Sequence, residues 1–120
     1  MKTDFSKEEF MTMALLYAAY IDHDINYYEV ESLLRTTQRE VLIGVSKQIG
    51  QMGEAEVINF FNQQRKVYAS SKEERKKLIE EMRAMIEADN RICIIEVRLC
   101  EAVESLLCSD VLIPARISGL

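Results

Sequence analysis

Apolar side chains recur along most of the chain at intervals of three and four residues, the spacing of one face of an α-helix. In the first such stretch Phe10, Ala14, Tyr17, Ala18 and Ile21 form a row, widened by Met11 and Leu15. Ser6 and Glu9 precede it at capping-box spacing, where each side chain satisfies the other residue's free amide, so a helix is predicted to start at Ser6. The row breaks at Asp22-His23-Asp24, residue types that turns tolerate well. Asn26 and Glu29 repeat the capping spacing ahead of a second helix, with Val30, Leu33 and Leu34 inside. Thr37 and Glu40 repeat it again ahead of a third, with Val41, Leu42, Val45 and Ile49 inside and Gly50 and Gly53 at its end.

A fourth helix is predicted over 54–69, carrying Val57, Ile58, Phe60, Phe61 and Val67, and broken by Ser70-Ser71. A fifth, over 72–88, has a charged outer face and apolar lines through Leu78, Met82 and Met85 and through Ile79 and Ile86. The sixth, about 93–108, is apolar almost all round, as helices at the centre of a domain are. Pro114 stops helix in the tail, where Val111-Leu112-Ile113 is read as an extended or short helical segment. The expected fold is an all-α bundle of six or seven helices.

Composition narrows this to one domain, residues 1–120. At 120 residues, with 48% hydrophobic and 29% charged side chains, the chain can close a core without disulfides or metal. Four glycines and one proline are too little turn punctuation for a many-stranded sheet. No apolar run reaches the roughly 18 residues of a membrane span. The charged start and the odd cysteine count, three, point to a cytoplasmic protein. A net charge of −5 argues against nucleic acid as a partner.

The charge is uneven. Residues 4–31 hold seven acids against Lys7, whereas residues 64–83 hold seven basic residues against four glutamates. Lys72, Arg75 and Lys76 in that stretch are either a solvated face or a contact for an acidic partner.

One pattern occurs twice, 67 residues apart: Asp22-x-x-Ile25-x-x-x-Glu29-Val30 and Asp89-x-x-Ile92-x-x-x-Glu96-Val97. Of the five aspartates, only these two carry both the isoleucine and the glutamate. The spacing has a physical logic. The aspartate closes a bend, the isoleucine plugs into the core, and the glutamate sits in the first turn of the next helix, at the positive end of its dipole.

This duplicated pattern resembles the Ala-Asp-Gly-x-Ile-x-x-x-Glu signature of the TerB (tellurite-resistance) family, which includes the N-terminal domain of a membrane-anchored J-protein co-chaperone. The likeness runs from about residue 7 to 108. It departs from the signature at His23 and Asn90, which take the glycine's place, at Ile21, which takes the alanine's, and at Arg91 in the second loop. The resemblance implies two pseudo-symmetric helical hairpins and a link to metal or stress response.

The candidate chemistry is sparse. Asp22, Asp24 and Glu29, with Asp89 and Glu96 as a poorer second set, carry oxygens suited to a hard divalent cation. As turn and cap carboxylates they need none. His23, the one histidine, sits in a turn. Cys93, Cys100 and Cys108 follow one stripe of a helix, too far apart to bridge, and read as small core residues. Tyr17, Tyr20, Tyr27 and Tyr28 flank the first loop, either half-buried or as an interface. There is no phosphate loop, no Cys-x-x-Cys and no nucleophile–base spacing.

The expectation is a non-enzymatic interaction or scaffold domain with a protein partner, a homodimer being left open. Candidate contacts are Tyr20, Tyr27, Tyr28, Lys72, Arg75 and Lys76. The alternatives are a divalent-metal protein using the Asp22 loop and, behind it, an enzyme with carboxylates assembled in space.

Overall fold

A computed structural model describes residues 4–22, 25–87 and 94–108, with the backbone alone at 37, 85–87 and 94–97. Six helices and no strand occur among them: α1 (Lys7–Ile21), α2 (Tyr27–Thr37), α3 (Arg39–Gly50), α4 (Glu54–Tyr68), α5 (Lys72–Glu87) and α6 (Ile94–Cys108). The protein is an all-α bundle. None of these helices is long and apolar enough to cross a membrane. The predicted roles of Met85, Ile86, Ile94, Ile95 and Val97, the second loop from Ala88 to Cys93, and the tail from 109 onward lie outside the described residues or side chains.

The first cap forms as its spacing requires. The Glu9 amide donates to Ser6 Oγ at 3.2 Å, and the Ser6 amide donates to Glu9 Oε1 at 2.9 Å. Asn26 caps α2 by accepting from the amides of Tyr28 at 3.0 Å and Glu29 at 3.3 Å. Thr37 does not cap α3. It ends α2 instead, and Gln38 joins the two helices as a one-residue bend whose own amide still donates to the Leu34 carbonyl. Gly50 is the last residue of α3, as expected, but Gly53 begins α4. Ser71, read only as a breaker, caps α5 by accepting from the Glu74 amide at 3.1 Å.

The centre of the bundle is α1. It packs against α2, α3, α4 and α6, and every residue from Phe10 to Leu16 is buried, with Ala18 and Ala19. The all-round apolar α6 was the sequence's candidate for that place, but it packs between α1 and α5 and keeps Arg98, Glu101, Glu104 and Cys108 exposed. The difference lies in residue size. Small and flexible side chains in the stretch Met11–Ala19 let four helices approach α1 at once. Thr12 lies in this dry environment with its hydroxyl unpaired among the described residues. Ile21 and Val67, both expected inside, are 47% and 59% exposed: Ile21 is the last residue of α1, and Val67 shares the outer side of α4 with the exposed Asn59 and Gln63. Cys100 is buried as expected, whereas Cys108 is exposed.

Aromatic rings lock α1 to α4. Phe10 lies 5.3 Å from Phe61 and 5.6 Å from Tyr68 between ring centroids, and Phe61 continues to Tyr17 at 5.7 Å. Phe5, which the periodicity does not reach, meets Phe60 edge-on at 4.8 Å. Its amide donates to Gln64 Oε1 at 2.9 Å, and its carbonyl accepts from the Tyr68 hydroxyl. The buried Arg65 donates to the Leu106 carbonyl of α6 at 3.1 Å, which satisfies a charge that would otherwise be costly to enclose.

Candidate functional site

Three sequence features compete for a role: the Asp22 loop, the tyrosines around it and the basic stretch of α5. In the loop, Asp22 takes an extended conformation that ends α1, with its amide still donating to the Ala18 carbonyl. The Ile25 amide donates to the main-chain carbonyl of Asp22 at 3.1 Å, a backbone bond across the turn. Ile25 is buried in the main core cluster, the plug the pattern predicts. Glu29 lies in the first turn of α2 and is exposed. Among the described residues no three His, Cys, Asp or Glu side chains come together as a cation site. Asp24, Asp89 and the side chain of Glu96 lie outside the described set, as does His23.

The tyrosines do converge. A cleft of about 400 Å³ opens between the C-terminal half of α1, the start of α2, the end of α3 and the start of α4. Its floor is apolar: Met13 and Leu16 of α1, Ile49 of α3, Met52 and Val57. Tyr17, Tyr20 and Tyr27 line it from above, and Glu54, in the first turn of α4, is its one charged lining residue among those described. Tyr20 is 73% exposed, and Tyr28, outside the cleft, is 79% exposed. Tyr27 meets Tyr28 edge-on at 6.0 Å. Two of the three lining rings have an aromatic neighbour: Phe61 for Tyr17 and the exposed Tyr28 for Tyr27.

The hydroxyls of Tyr17 and Tyr27 both hold their protons above the ordinary tyrosine range. For Tyr17 burial is the main cause, reinforced by the Glu54 carboxylate and then by Tyr20. For Tyr27 burial again comes first, followed by Glu31 and Tyr28. Both effects disfavour the anion, one by removing water and the other by adding negative charge nearby. A carboxylate thus stands near each hydroxyl, Glu54 by Tyr17 and Glu31, itself ion-paired with Arg35, by Tyr27.

The chain builds this site from local signals. Tyr17 and Tyr20 are three residues apart and so share a side of α1. The Asp22–Ile25 turn brings Tyr27 back beside them. The contributions of Ser46, Ile49, Met52 and Glu54 come from the α3–α4 connection, which nothing in the tyrosine pattern announces. Glu54 opens the helix expected over 54–69, but its proximity to Tyr17 depends on how α4 packs against α1.

Lys72, Arg75 and Lys76 also come together, on the side of α5 that faces α6. With Ile79, Arg83 and Leu107 they border a groove of about 460 Å³, which Glu80 and Glu104 also line. Arg75 is partly engaged, donating to the Ala69 carbonyl at 3.4 Å. The groove lies far along the chain from the tyrosines and carries the opposite charge.

Comparison with protein-family models, with curated proteins and with solved structures finds no match for this chain.

Proposed function

We propose that this chain is a non-enzymatic, TerB-like interaction or scaffold domain that docks a protein partner through the tyrosine-lined cleft, in the setting of metal or stress (tellurite) response. The observation that carries the docking reading is the exposure of Tyr20 above an apolar floor already bounded by Tyr17 and Tyr27. Tyr20 stands in the last turn of α1, with its ring in solvent and open to a partner. Tyrosine joins a large apolar face to a hydroxyl that tolerates water, and so is enriched where surfaces meet. The TerB-like part rests on the first copy of the duplicated pattern: a helix ending at Asp22, a buried Ile25 and a cap at Asn26.

A genetic test separates the two parts. Cells lacking the chain are challenged with tellurite and with divalent metals, then complemented with wild type or with Tyr20→Ser/Tyr28→Ser. Rescue by wild type but not by the folded double variant is the expected result. Unchanged tolerance on deletion removes the stress role. Equal rescue by both forms removes the tyrosine surface from it.

A further inference from the structure

We propose that the tyrosine cleft takes a basic segment of a partner protein, with an arginine or lysine laid across the rings of Tyr17, Tyr20 and Tyr27 and its charge turned toward Glu54. The inference rests on the reading of the cleft as a docking surface and adds the chemistry of what docks.

The first support is complementarity of shape and polarity. Arginine and lysine have an apolar stem and a charged head, and they bury the stem while keeping the head near charge or water. The cleft presents those needs in order. The half-buried Ile49 and Met52, lying over the buried Met13 and Leu16, form a floor for the stem, and three tyrosines and a carboxylate form a rim for the head. The face of an aromatic ring is the negative part of its quadrupole and attracts a cation placed over it. An acidic or phosphorylated segment would meet Glu54 and the negative ring faces, with no lysine or arginine among the described lining residues to receive it.

The second support is the charge around the site. Glu54 is close enough to Tyr17 to help keep it protonated, whereas Glu31, near Tyr27, is already ion-paired with Arg35 at 2.9 Å and adds less to the field. Glu29 and Glu54 are exposed, so their field reaches the solvent from which a partner approaches. The amino end of α4 carries partial positive charge, but Glu54 and Glu56 in its first turn offset it.

The third support is pre-organisation. Phe61 packs against Tyr17, so that ring has little freedom left to lose on binding; Tyr27 meets Tyr28 edge-on, and Tyr20 is the ring left to be ordered. Tyr28, outside the cleft and largely exposed, extends the aromatic surface beyond it. A chain flanking the cation has a place to lie there, which a free organic ammonium ion would not use.

The test is an NMR titration of the isotope-labelled protein with three short peptides of equal length. One alternates leucine with arginine, the second replaces arginine by glutamine, and the third replaces it by glutamate. The arginine peptide is expected to shift the amides of Tyr17, Tyr20, Tyr27, Ile49 and Glu54 saturably and to bind about tenfold tighter than the glutamine peptide. Added salt weakens it. Glu54→Gln, a change at an exposed side chain, loses about tenfold in affinity for the arginine peptide while the glutamine peptide is unaffected. If the glutamine peptide binds the same amides as tightly, the cleft remains a docking surface and the preference for a cation is wrong. If the arginine peptide leaves these amides unmoved, or moves acidic positions all over the protein alike, the proposal is overturned. Tetramethylammonium binding as tightly as the arginine peptide overturns the peptide as occupant.

Discussion

The two sides of α1 use aromatic residues in opposite ways. Toward α4, Phe10 meets Phe61 and Tyr68 in a closed, dry stack. Toward the end of α3 and the start of α2, Tyr17, Tyr20 and Tyr27 surround an open cleft whose floor is equally apolar. The same helix thus carries one aromatic set that the fold consumes and one that the fold leaves available. What divides them is ring completion. Each ring in the stack is faced by another ring, whereas Tyr20 is faced by solvent over most of its surface. Stability and function are therefore expected to separate between the two sides.

The sharpest break in the comparison is Phe61→Ala. It removes the ring that joins the stack to Tyr17, and it is expected to cost about 3–5 kcal/mol in denaturant unfolding. A loss below that of an ordinary surface change would mean that the stack does not hold α1 to α4. Thr12→Val, inside the same packed zone, should act in the other direction. It replaces an unpaired buried hydroxyl by a methyl group of similar volume, with an expected gain of about 1 kcal/mol in the same assay. Tyr20→Ser on the open side should change stability by no more than about 0.5 kcal/mol, the usual range for exposed positions. A larger loss would place Tyr20 with the closed set.

Alkaline titration then examines the intermediate rings. Tyr17 and Tyr27 hold their protons more tightly in the folded state than in the unfolded chain. Their contribution to stability is complete below the unfolded tyrosine pKa and is lost as pH rises through the folded values. Tyrosinate absorbance from Tyr17 and Tyr27 should rise later than that of free tyrosine, and Glu54→Gln should bring Tyr17 earlier. Ionisation of both rings at the pH of free tyrosine would mean that burial does not act on them.

Much of the helical framework could be read from periodicity and caps, because both are local. Ser6, Glu9 and Asn26 act within three residues of themselves, and the breaks near 50–53 and 70–71 fall where small and polar residues gather. Thr37 shows the limit of that logic. Its spacing to Glu40 is that of a cap, but α2 runs on through it, since the Gln38 amide still finds the Leu34 carbonyl. The identity of the central helix could not be read, because α1 and α6 are both rich in apolar residues and only tertiary packing ranks them. For the site, the tyrosines were visible as a cluster along the chain, whereas Met13, Ile49 and Glu54 join them from three different helices. The residues of the second repeat loop lie outside the described structure, so the twofold relation between the hairpins stands on the sequence pattern.

Phe5 carries a consequence for how the molecule comes apart. Chain ends ordinarily fray, and their amides exchange with solvent quickly. The Phe5 amide and carbonyl are instead held by Gln64 and Tyr68, across separations of 59 and 63 residues. Releasing this clasp breaks both bonds and exposes the buried Phe5 ring, which packs on Phe60 of α4, a helix itself joined to α1 by its aromatic side chains. Protection of the Phe5 amide in deuterium exchange is expected to approach that of the interior of α4, making this stretch a reporter of how tightly α1 and α4 hold together.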